Sequence, residues 1–131
     1  MRWMLDTNAV SDLLRTQGRM LQRASEHPMA SLCMSVITEA ELRYGLAKRP
    51  EALRLHEAVR QLLLRVQPLP WDSSVAAVYG PLRARLQAQG LPLSPLDQQI
   101  AAHALAVGAV LVTRDQAFAQ VPDLQLEDWS Q

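Results

Sequence analysis

Residues 109–113, Ala-Val-Leu-Val-Thr, constrain the fold of this chain more than any other stretch. The run is continuously apolar, with no polar residue alternating into it. A strand reads this way when its sheet is covered on both faces. It starts just after Gly108, which stops a helix-patterned segment, and it ends at Arg114-Asp115. A sheet of this kind needs helices to cover it, and parallel strands need helical crossovers between them.

The rest of the chain supplies both. Trp3-Met4-Leu5 is a second apolar run, and it stops abruptly at Asp6. Ser31–Ser35 and Arg65–Leu69 read as further strands, and Gln125–Glu127 as a fifth, at an edge. Between them come helical spacings. Val10, Leu13 and Leu14 mark a helix from Ser11 to Arg15 that Gly18 breaks, and Met20, Leu21 and Ala24 resume it until His27-Pro28. A helix opens at Val36 and fades near Lys48, and Pro50 starts another with Leu53, Val59, Leu62 and Leu63 on its apolar stripe. Asp72-Ser73-Ser74 caps a helix that ends at Gly90, and Ser94-Pro95 opens one that runs to Val107. Strands alternating with helices predict one α/β domain over residues 1–131, a parallel sheet wrapped by helices.

Composition narrows the function classes. No apolar run approaches the roughly 20 residues of a membrane span, and Asp6 interrupts the opening before a signal peptide can form. The single cysteine, Cys33, forms no intrachain disulfide and reads as a small buried hydrophobe, so the cytoplasm is the expected compartment. Thirteen basic and thirteen acidic residues cancel, which argues against a general polyanion binder but not against a local patch. All the basic residues but Lys48 are arginine, whose planar fork suits phosphate.

Four acids fall where strands and helices meet: Asp6, Glu41, Asp97 and Asp115. Asp6 and Asp115 directly follow strands, while Glu41 and Asp97 fall near helix starts. In a parallel sheet all four come to the carboxyl edge, where α/β proteins bind ligands. Each acid has an ordinary structural role. Asp6 can cap the following helix, Glu41 can close a capping box with Thr38, Asp97 can complement a helix dipole, and Asp115 can sit in a turn. Together those roles explain less, because gathered carboxylates repel one another unless they bind a cation or hold a proton. A hard cation such as Mg2+ or Mn2+ fits such oxygens, keeps several waters and suits a phosphodiester substrate.

Leu5-Asp6-Thr7-Asn8, Ala40-Glu41-Leu42 with Tyr44-Gly45, Leu96–Ala104 and Val112-Thr113-Arg114-Asp115 together resemble the PIN-domain ribonucleases, and within them the VapC toxins of type II toxin–antitoxin pairs. The likeness runs from Met4 to Trp129. It implies a three-layer α/β/α sandwich around a central parallel sheet of four to five strands. It implies Mg2+- or Mn2+-dependent endoribonuclease activity on a transfer or ribosomal RNA, and inhibition by a VapB-type antitoxin. A homodimer is implied as well, with DNA reached only through the antitoxin. Carried over residue by residue, the metal and catalytic positions are Asp6, Glu41, Asp97 and Asp115. Thr7 and Asn8 would orient Asp6 or a metal-bound water, and Thr113 would do the same beside Asp115. Arg43 and Arg114 adjoin the motifs and are the candidate RNA contacts, with an ordinary ion pair as the competing role for each.

Other readings fare less well. A receiver-type signalling domain needs paired acids early and an acid ending a middle strand, and an aspartyl phosphatase needs an acid where Asn8 stands. A metal-independent ribonuclease using His needs imidazoles that cluster, whereas His27, His56 and His103 are far apart in the chain. A PIN-like module that binds without cutting has no need of all four acids. The Leu, Met and Ala of the first helices read equally as core or as a groove for an antitoxin helix. Trp3, Trp71 and Trp129 are expected in the core or an interface.

Overall fold

Strands Trp3–Leu5 (β1), Leu32–Ser35 (β2), Gln67–Leu69 (β3), Val110–Val112 (β4) and Leu126–Glu127 (β5) form one sheet in the order β3-β2-β1-β4-β5. Every pairing is parallel, as the helix-and-strand alternation predicts. The structure, a computed structural model, describes residues 1–15, 19–91 and 93–131, so Gly18 lies outside the described residues.

The helices are Thr7–Leu14 (α1), Arg19–Ser25 (α2), Val36–Ala47 (α3), Leu53–Arg65 (α4), Ser73–Ala88 (α5) and Pro95–Val107 (α6). Two of them start away from the expected place. α1 begins four residues before Ser11, because Asp6 itself caps it and accepts the Ala9 N–H at 2.8 Å. α4 begins at Leu53, past Pro50, and its Ala52 cap offers no side-chain acceptor. The last long helix follows its signals closely. Ser94 caps it, Pro95 takes the first helical position, and Gly108 ends it at φ 68°, the left-handed turn that glycine enters without strain. The Ala109 N–H then donates back to the Ala104 carbonyl at 2.9 Å, and the chain turns straight into β4.

Alternation along the short strands divides the core in two. Met4, Cys33 and Leu111 face one side and pack with Val75, Leu82, Leu86 and Ile100 of the α5–α6 layer and with Phe118 from the turn after β4. Leu5, Met34 and Val112 face the other and pack with Val10, Met20, Leu42, Val59 and Leu62. Both faces are covered, which is why the strands read as continuous apolar runs. Trp129 is fully buried in the second layer, and Cys33 is buried and free. Among the described residues no helix is long and apolar enough to cross a membrane.

Candidate active site

Register places the site. Leu5 pairs with Val112 and Met4 with Cys33, so Asp6, one residue past Leu5 and two past Met4, stands between Thr113 and Ser35 at the carboxyl ends of β4 and β2. The Asp6 N–H donates to the Val112 carbonyl at 3.1 Å and fixes that corner. Among the described residues the buried polar side chains are Asp6, Ser35, Thr38, His103 and Thr113. Three of them form this row, and the other two attach to it.

Asp6 is only 3% exposed. Its Oδ1 accepts the Ala9 N–H, and Thr113 makes a side-chain hydrogen bond to it. Burial pushes its pKa up, those two hydrogen bonds pull it down, and the charges of Asp97 and Asp115 push it up again. The cap is therefore real for this carboxylate, and the charges of Asp97 and Asp115 also reach it. Asp97 lies in the first turn of α6, where its N–H donates to Ser94 Oγ at 3.2 Å. Burial raises the Asp97 carboxyl, the Ser94 hydroxyl lowers it, and Asp115 raises it. Asp115 caps a 3-10 turn over Gln116–Gln120, accepting the Ala117 N–H at 2.9 Å. Its own N–H donates to Thr113 Oγ1 at 3.0 Å. Thr113 thus serves two acids and not only its neighbour Asp115, because β4 is the strand next to β1.

Glu41 is carried by helix α3 rather than by a strand end. The cap of α3 is Ser35, whose Oγ accepts the Ile37 N–H at 3.1 Å, so Thr38 does not open a capping box with Glu41. Glu41 falls in the second turn, and the first-turn acid is Glu39. Thr38 Oγ1 lies 3.4 Å from Thr7 Oγ1, beside Asp6, and Glu41 follows Thr38 by three residues on the same helix face. Thr7 is half-buried and Asn8 exposed at the start of α1. Among the described residues no three His, Cys, Asp or Glu side chains close on one point tightly enough to cage a metal by themselves.

The candidate cations are both ion-paired. Arg43 meets Glu39 at 2.7 Å along α3, and Arg114 meets Asp12 of α1 at 3.1 Å. The histidines go to separate places. His27 lies against Trp3 and Trp129, with ring centroids 4.3 and 4.6 Å away. His56 contacts the Arg49 carbonyl at 3.0 Å. His103 is fully buried, its Nδ1 2.8 Å from Ser35 Oγ, and burial holds its pKa below the usual range against the opposing charge of Asp72. Sequence reasoning missed this Ser35–His103 link between β2 and α6 and the Asp12 clamp on Arg114. Only the position of Ser35 between an apolar run and a helix offered a signal.

Beside the carboxyl end of α1 lies an open groove of about 640 Å³, lined by Leu13, Leu21, His27, Met29, Leu62 and Arg65 among others. Of the apolar residues in the first helices, Met20 and Ala24 are core, while Leu21 is partly exposed at the groove.

The PIN-domain model matches residues 3–124. The chain is similar to the tRNA(fMet)-specific endonuclease VapC of Shigella flexneri, 32% identical over 131 residues and 99% of each chain. It is 35% identical over 133 residues to ribonuclease VapC1 of Haemophilus influenzae (strain R2866), again across 99% of each. In three dimensions it resembles a chain of VapBC2 from Rickettsia felis bound to a DNA fragment from their promoter, with a TM-score of 0.91, 29% identity and coverage of 98% and 99%.

Proposed function

Because this chain belongs to the PIN-domain family, and within it to the VapC ribonucleases, we propose that it is the toxin of a VapBC pair and cuts a transfer RNA in a divalent-metal-dependent reaction at the Asp6 edge of its sheet. The observation that carries this reading is Asp6: a buried carboxylate with its pKa raised, under the charges of Asp97 and Asp115. Such a group is costly to keep unless a cation offsets it.

The donor set suits Mg2+ or Mn2+. It is all oxygen, and Mg2+ binds through one or two carboxylates while keeping several waters, so a closed cage of three is not needed. Asp6 and Asp97 would hold the ion, and Glu41 and Asp115 would hold it or its waters. When bound, the metal would lower the pKa of a water and neutralise charge on a phosphoryl oxygen. The chain's own residues prepare that arrangement. The α1 cap and Thr113 fix the Asp6 carboxylate from two directions, which limits its rotation. Ser94 fixes the first turn that carries Asp97. Thr113 holds the backbone of Asp115. Thr7 and Asn8 border Asp6 and would orient the attacking water. Arg114 and Arg43 would meet RNA phosphates, exchanging Asp12 and Glu39 for them.

The partner reading rests on the groove. An amphipathic helix of a VapB-type antitoxin would lay its apolar face against Leu13, Leu21, Met29 and Leu62. The Rickettsia neighbour is a VapBC complex on promoter DNA, which supports a DNA role reached through the antitoxin. The toxin itself is proposed to act as a homodimer in the cytoplasm.

The test is 5′-end sequencing of cellular RNA after brief expression, run beside Asp97→Asn. A single new end in one transfer RNA, absent with Asp97→Asn and absent from the purified reaction in EDTA, is expected. Cleavage that persists in EDTA would overturn the metal reading and revive a metal-free one.

A further inference from the structure

Helix α3 carries one residue that its own stability does not explain. Gly45 sits inside the helix, where glycine is the poorest residue short of proline. A Cβ at Gly45 would meet nothing within 4 Å, and its φ is not positive. Neither packing nor backbone geometry calls for glycine there. Thr38, Glu41 and Gly45 are spaced three and four apart and share one stripe of α3, with Thr38 at its head reaching Thr7 beside Asp6. Gly45 therefore leaves the stripe bare of a side chain one turn beyond Glu41.

Beside Gly45 stands Tyr44, 60% exposed, the one exposed aromatic ring among the described residues. The Lys48 ammonium lies over the ring, 4.5 Å from its centroid. Arg49 follows, also exposed.

We propose, resting on the ribonuclease reading above, that an RNA strand crosses α3 here: its sugar–phosphate backbone passes close over Gly45, where no side chain holds it off, a base stacks on Tyr44, and Lys48 meets the adjoining phosphate. An aromatic face beside a cation is the usual means of holding single-stranded nucleic acid. A second copy of this chain fits the surface less well. A two-fold contact would set the patch against itself and bring the cations at Lys48 and Arg49 together.

The experiment uses Gly45→Ala, Tyr44→Ala and Tyr44→Phe, each also combined with Asp97→Asn so that RNA stays intact. Binding of a short labelled single-stranded RNA is followed by fluorescence anisotropy, with melting temperature and light-scattering mass measured alongside. Gly45→Ala is expected to melt about 2–4 °C higher, since alanine is the better helix former, and yet to bind RNA about tenfold more weakly, with the loss in KM rather than kcat. Tyr44→Ala loses a similar factor, the size of one stacked base, and Tyr44→Phe restores it. RNA binding unchanged in Gly45→Ala and Tyr44→Ala overturns the proposal. So does a change in mass with RNA binding intact, which would assign the surface to a second copy. Cleavage surviving Asp97→Asn alone would instead refute the acid-site reading, and the anisotropy comparison would still decide this one.

Discussion

Replacing Asp6 by Asn separates the two roles of that residue. Asparagine ranks with aspartate as a helix cap, so the Ala9 N–H keeps an acceptor and α1 keeps its start. What disappears is a buried charge that burial, Asp97 and Asp115 all oppose. The folded carboxyl has a raised pKa, so its proton-linked stability is fully present below the unfolded value of 3.8 and is lost as pH rises through the folded value. At neutral pH the parent bears that loss and Asp6→Asn does not. Each unit of elevation is worth about 1.4 kcal/mol, or about 5 °C in a chain of this length. In EDTA, Asp6→Asn is therefore expected to melt above the parent, with the gap closing as pH falls towards 4. Asp6→Ala loses the cap too and should melt about 4 °C below Asp6→Asn, for a cap worth about 1 kcal/mol. Adding Mg2+ or Mn2+ reverses the order, because a ligand at 100 times its Kd adds about 2.7 kcal/mol to a protein that binds it, and Asp6→Asn should not. Differential scanning fluorimetry in EDTA and in metal reads the parent and both variants. An Asn variant that melts below the parent in EDTA, or that gains as much from metal as the parent, would refute the reasoning.

Asp97→Asn should abolish RNA cleavage in a gel assay while leaving the far-UV circular dichroism spectrum unchanged, because Ser94, not Asp97, caps α6. His103 carries a pH signature. Its pKa is held below 6.5 by burial, so the unfolded chain takes up the proton first and stability falls as pH drops below about 6.5. His103→Leu should flatten that part of the melting curve between pH 7 and 5. Ser35→Ala removes the α3 cap and strands the His103 Nδ1, and should lower the melting temperature by at least about 4 °C.

The fold was legible because its signals were local. Gly108 and Ser94-Pro95 bound α6 where the pattern placed them, and the apolar runs at Trp3 and Val110 became adjacent central strands. Starts were harder. Asp6 was visible as a cap, but the helix pattern of Val10, Leu13 and Leu14 pointed to a later residue, since the first turn of α1 carries the polar Thr7 and Asn8. The site divided along the same line. That Asp6, Asp97 and Asp115 share one edge follows from parallel strands and could be inferred. That Thr113 braces Asp6 as well as Asp115 depends on β4 being the neighbour of β1, and strand order is not written in any window of sequence. His103 meeting Ser35 depends on how α6 lies across β2, a long-range fact between residues 68 apart.

The position of β1 has a consequence for how such a molecule comes into being. β1 is the central strand, and its partner β4 pairs Trp3 with Val110, far along the chain. A polypeptide emerging from the ribosome cannot close that pairing until most of its length has been released, and contacts so distant in sequence form slowly. Asp6 therefore waits, without its opposite numbers on α6 and beyond β4, until both of those segments have been made.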